Sequence, residues 1–125
     1  MKKKNIRTKV SGFEFELRNI NVVEEFSEET TAFKADAYLN GKHLGVAWNE
    51  GHGGPSFLPV REEDNDMVDD FNESLSSFKK NIVVCEKHYT LAFDMELLMD
   101  VMVAKSISGQ TELNLAEECS SLGTI

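Results

Sequence analysis

Between Phe13 and Trp48, apolar residues alternate with polar ones, the two-residue period of strands with one wet face. Phe13, Phe15 and Leu17 are separated by Glu14 and Glu16, and Ile20, Val22 and Val23 extend the run beyond a break at Asn19. Glu24, Glu25, Glu28 and Glu29 then form an acidic connection. A second run places Phe33, Ala35, Ala37 and Leu39 on one face and Lys34, Asp36 and Tyr38 on the other. Asn40-Gly41 follows at once. Both residues tolerate positive φ, and this pair between two runs of equal period is the strongest short hairpin signal. Leu44, Val46 and Trp48 continue the alternation, and Gly45 among them marks a bulge or a close backbone approach. Ser56-Phe57-Leu58 offers one more short strand, which Pro59 ends.

From Glu62 the period changes. Val68, Phe71, Leu75 and Phe78 fall on one face of a helix. Acids crowd its start and Lys79 and Lys80 close it, placements that suit the helix dipole. Asn81 to Cys85 has the pattern of a short strand, and Tyr89 to Phe93 of a weaker one. Asp94 is placed to cap a second helix from Met95 to about Ser106, with Gly109 as its stop. That helix has only a narrow polar side, at Glu96, Asp100 and Lys105, which predicts packing in the core. A self-association surface is the alternative. Residues 110–125 are expected to fray or to add one helical turn. The whole pattern predicts a single α+β domain over residues 1–125. Its antiparallel sheet, of about four to five strands in the N-terminal half, is packed by two main helices.

A length of 125 residues and an apolar fraction of 41% suit one domain with a real core. No stretch approaches the roughly 20 apolar residues of a membrane helix. The basic start lacks the apolar run of a signal peptide, so a cytosolic, host-cell location is expected. Cys85 and Cys119 suggest free thiols rather than a disulfide framework. Charge sharpens the picture. The net formal charge is −9, while residues 1–9 hold five of the 13 cations and no acid. The acidic remainder repels phosphate, which argues against direct nucleic-acid binding. It suits instead a basic protein surface, such as one that normally holds nucleic acid. An acidic surface also serves solubility alone.

Candidate chemistry is sparse. Asn49, Gly51, His52, Gly53 and Gly54 form a glycine-rich loop whose backbone N–H groups are able to converge on an anionic ligand. It lacks the lysine and the helix start of a phosphate loop. Cys85 and His88, three residues apart, fall short of a four-ligand metal site. His88-Tyr89-Thr90 supplies one His-x-Thr motif where the two-histidine phosphoesterases need two. No G-x-S-x-G nucleophile motif occurs. The run containing Glu62, Glu63, Asp64, Asp66, Asp69 and Asp70 lacks the central glycine and distal glutamate of a calcium loop. It fits a helix start whose carboxylates imitate a phosphate backbone toward a partner. No catalytic residue, metal or cofactor is expected.

The stretch Phe33 to Lys42, continued through Gly45, Asn49 and Gly51-His52-Gly53-Gly54, resembles a core of small proteins of phages and mobile elements. In that pattern a strand, an Asn-Gly or Asp-Gly turn and a second strand lead into an Asn-x-Gly-x-Gly-Gly loop. Asp94 to Lys105 resembles the acidic-apolar helix expected near their C-terminus. Some small acidic proteins of this origin antagonise host defence, including anti-CRISPR proteins that block Cas9-type nucleases, and others sequester nucleotide signals. The resemblance implies an anti-defence role and carries over no functional residue. Three expectations follow. The first is a non-enzymatic inhibitor that occludes a basic, nucleic-acid-binding host protein through its acidic surface. The second is a module that binds a small anion or nucleotide at the glycine loop. The third is an assembly protein that forms a homodimer or larger oligomer.

Overall fold

The computed structural model describes residues 4–23, 31–120 and 122–124. Its elements are β1 (Lys4–Val10), β2 (Phe13–Val22), β3 (Phe33–Leu39), β4 (Lys42–Asn49), a 3-10 turn (Glu62–Asp64), α1 (Asn65–Leu75), β5 (Lys79–Val84), β6 (Lys87–Ala92), α2 (Met95–Ile107), β7 (Glu112–Leu113), α3 (Leu115–Ser120) and β8 (Leu122–Thr124). The main sheet has the order β4-β3-β2-β1-β7. Its first four strands are antiparallel neighbours, and β7 lies parallel to β1. The α+β expectation therefore holds: a mostly antiparallel five-stranded sheet packs against helices.

Alternation decides the layers. Phe15 and Leu17 of β2 and Phe33, Ala35, Ala37 and Leu39 of β3 are buried. So are Ile6 and Val10 of β1 and Leu44 and Ala47 of β4. This inner face forms one core with Val68, Phe71 and Leu75 of α1 and Leu98, Met99, Met102 and Val103 of α2. Phe71 lies 5.4 Å from Phe15 in a stacked arrangement and 5.3 Å from Phe13. The α2 helix is a core helix, capped as expected: the Asp94 carboxylate accepts from Leu97 N at 2.8 Å. Asn72 of α1 accepts from Met95 N at 2.8 Å, which ties the end of one helix to the start of the other. The outer face keeps Arg7, Lys9, Glu16, Lys34, Tyr38 and Trp48 exposed or half-buried.

Several expectations are corrected. From Lys4 onward the basic start belongs to the sheet: Ile6, Thr8 and Val10 alternate inward as β1, and Thr8 Oγ1 donates to Leu113 O at 2.8 Å. Of the two expectations for residues 110–125, the helical turn is met by α3, while the described residues are not frayed: Leu113 and Leu115 are buried and β7 completes the sheet. Lys79 and Lys80 do not close α1. The helix ends at Leu75, where Ser74 and Ser76 hydroxyls turn back onto the Phe71 and Glu73 carbonyls, and the lysines begin β5. Cys85 is in no strand but forms, with Glu86, a positive-φ hairpin turn (φ 51° and 68°) between β5 and β6. The two short strands expected there are present as β5 and β6, and with β8 they make a second, three-stranded sheet separate from the first. Glu24, Glu25, Glu28 and Glu29 lie outside the described residues.

The chain after β4 doubles back along it. Phe57 and Trp48 exchange backbone hydrogen bonds at 2.8 and 3.0 Å, and Arg61 Nη2 donates to His43 O at 2.5 Å. Covering the edge strand in this way removes an open template for pairing. Gly45 permits the approach: a Cβ there would stand 2.8 Å from Pro59 O. Leu44 is the extra residue of a bulge opposite Ala37 and Tyr38. Gly45→Ala is expected to cost about 1–3 kcal/mol in urea unfolding, through displaced backbone. Gly54→Ala, where a Cβ meets nothing within 4 Å, is expected to change stability by less than about 0.5 kcal/mol.

Candidate functional site

The acidic run divides between the core and solvent. Asp64 occupies the N-cap position of α1, yet its carboxylate makes no cap; it pairs with Lys42 and lies 3.2 Å from Arg61 Nε. It is 1% exposed, and the Lys42 hydrogen bond, followed by that of Arg61, holds its pKa below the usual carboxylate range. Asp64 therefore does not belong to the acidic surface. It anchors the start of α1 to β4. Glu62, Glu63, Asp66, Asp69 and Asp70 are exposed, because Val68, Phe71 and Leu75 take the opposite side of the helix. Glu73 continues the row and was missed by the sequence reading. Glu63 lies 3.4 Å from Arg61. Among the described residues, Glu62, Asp66, Asp69, Asp70 and Glu73 have no ion-pair partner.

The glycine loop is organised from within. Asn49, 6% exposed at the end of β4, donates from Nδ2 to Gly54 O and to Ser56 Oγ, both at 3.1 Å. Its Oδ1 accepts from Gly51 N at 2.8 Å. Gly51 and Gly53 both have φ of 86°, which explains two of the glycines through backbone geometry alone. The Gly51 N–H is buried and engaged inside the loop, so the donors expected to converge on an anion do not include it. His52, Gly53 and Gly54 are exposed. Ser56 passes the connection on, its hydroxyl donating to Asp100 of α2 while its backbone N–H supports Glu96. Desolvation raises the pKa of Asp100 and of Glu96 above the usual carboxylate range, and neighbouring Asp94 adds to both. A negative pair under the loop opposes an anionic ligand. No sequence motif signals this network, since its members come from β4, the loop and α2.

The histidines do not assemble. His43 on β4 places Nε2 3.3 Å from Asp36 Oδ1 and its ring edge-on to Tyr38, while His52 lies in the loop and His88 on exposed β6. Among the described residues no group of three or more His, Cys, Asp or Glu side chains is arranged to hold a metal ion. Nor is any helix among them long and apolar enough to cross a membrane. No protein-family model, curated protein or solved structure matches the chain. The acidic side of α1, an exposed row of carboxylates, is taken as the candidate site.

The two carboxylate environments have opposite pH signatures. Asp100 and Glu96 bind protons more tightly folded than unfolded. Their ionisation therefore lowers stability as pH rises through the raised values, and protonation restores it on acidification. Asp64 binds its proton less tightly folded, so its contribution is present above the ordinary carboxylate value and is lost as pH falls through the lowered one. Asp100→Asn, which keeps an acceptor for Ser56, is expected to raise the melting temperature at neutral pH and to flatten the gain seen on acidification toward the ordinary carboxylate range. Asp64→Asn is expected to lower it at neutral pH. Asn49→Ala is expected to cost about 1–3 kcal/mol, because it strips partners from buried groups of the loop.

Proposed function

We propose that the chain is a non-enzymatic inhibitor whose acidic α1 face occupies the basic, nucleic-acid-binding surface of a host protein. The observation that carries this reading is the row Glu62, Asp66, Asp69, Asp70 and Glu73, exposed and without a cationic partner among the described residues. Such a row presents negative charge at a spacing fixed by the helix, as a phosphate backbone presents it by covalent repeat. A net charge of −9 extends the field and steers a basic partner to encounter. The resemblance of the hairpin-and-loop core to small phage and mobile-element proteins favours a defence nuclease of the Cas9 type as the partner class.

Competition tests the reading. Guide-loaded nuclease and labelled target DNA are mixed with the protein, and DNA binding is followed by fluorescence anisotropy. The protein is expected to displace DNA, with an association rate that falls as salt rises past a Debye length of about 10 Å. Asp69→Lys/Asp70→Lys is expected to slow association by about tenfold or more. Unaltered DNA binding across a panel of basic nucleic-acid-binding proteins would reject the proposal. Displacement that ignores both salt and the double reversal would reject its acidic mechanism.

A further inference from the structure

The outer face of the five-stranded sheet differs in charge from the rest of the molecule. Arg7 lies 2.8 Å from Glu112, Arg18 2.6 Å from Glu16, and Lys9 3.9 Å from Glu14. Lys34 and Asp36, which alternate with buried residues of β3, complete a balance of four cations against four acids. On a chain of net charge −9, this face is formally neutral. It also carries an apolar strip along β4 and the segment that returns beside it. Trp48 and Phe57 stack at 5.5 Å with 30° between their planes, and Phe57 is 45% exposed. Tyr38 lies beneath the Arg18 guanidinium at 4.0 Å, and Val46 is half-buried between the two aromatic groups in register.

We propose that this face is the interface of a homodimer, in which a second copy packs sheet against sheet over Trp48 and Phe57. The charge distribution selects the occupant. A basic partner is drawn to α1, where the field is, and a nucleic acid finds no net positive charge on the sheet. Two copies meeting across their acidic α1 sides oppose like charges, whereas two neutral faces do not. In a two-fold arrangement each patch meets itself, so the balanced cations and acids of one copy lie against the same balanced set. Aromatic residues with Arg at a neutral centre have the composition of an interface core and its anchors. Because α1 packs on the inner face, such a dimer leaves both acidic helices outward, which makes it bivalent toward a repeated or two-fold target.

Trp48 is the single tryptophan, so it reports directly on the proposed contact. Sedimentation velocity and intrinsic fluorescence are measured together from about 1 µM to about 300 µM, a span suited to weak and moderate dimers. The mass is expected to rise from 14.1 kDa to twice that value, with the Trp48 emission moving to shorter wavelength over the same concentrations. Phe57→Glu is expected to weaken association by about thirtyfold or more, as loss of an interface anchor does. Far-UV circular dichroism checks that this variant keeps its fold, and should it not, the coincidence of mass and emission in the unaltered protein decides. A monomer at every concentration overturns the proposal. So does a dimer whose formation leaves Trp48 emission unchanged, or one that a folded Phe57→Glu variant forms undiminished.

Discussion

The contact of Phe71 with Phe13 and Phe15 is the one on which the layout depends. It seats α1 on the inner face of β2 and so decides which side of the sheet is core. Once Val68, Phe71 and Leu75 point inward, helical geometry sends Asp66, Asp69, Asp70 and Glu73 outward. Once α1 and α2 fill the inner face, the alternation of β1 to β4 leaves Arg7, Arg18, Tyr38 and Trp48 on the other. The acidic and the neutral surface are therefore two consequences of a single packing choice. Neither can be moved without inverting the register of the strands.

The glycine-rich loop looks different in that frame. Its glycines let the chain leave β4, reverse and return alongside it, and Asn49 holds the reversal by bonding at three points. Ser56 then links the loop to α2 through Asp100, so the loop joins the edge of the sheet to the helix that fills the core. The link has a cost. Two carboxylates with raised pKa lie close to a third, and their mutual repulsion is relieved by protonation. The loop is thus a structural joint with a stability that depends on pH.

Local signals carried far more of the architecture than of the site. The Asn40-Gly41 turn, the cap at Asp94 and the periods of β2, β3, β4 and α1 were legible because each is encoded within a few residues. β1 was overlooked for a physical reason: its exposed positions are Lys, Asn and Arg, and their charge masks the alternation of Ile6, Thr8 and Val10. β7 is two residues long and exists only because β1 offers an edge, so no period announces it. At the site, the acids were legible as a run, but the fate of Asp64 was not. Its partners, Lys42 on β4 and Arg61 on the returning segment, come together only when the chain has doubled back along β4. The same holds for Asn49, Ser56 and Asp100, which no spacing rule connects.

The composition of α1 argues that its charge has a purpose beyond solubility. Asp66 and Asp70, and Asp69 and Glu73, stand four residues apart on the helix, where like charges destabilise by a few tenths of a kcal/mol per pair. Acids near the first turn gain from the helix dipole, but Glu73 lies in the last turn, where the dipole opposes it, and no basic residue is there to compensate. A lysine at either of the later positions would give equal solubility with a more stable helix. The chain does use cations next to acids where folding needs them, at Lys42 and Arg61 around Asp64. Their absence from the outward side of α1 leaves an uncompensated field on that side, while the outer face of the sheet is internally balanced. On the proposed reading, the α1 side attracts the basic partner and the neutral sheet face is left to contacts in which charge plays no part.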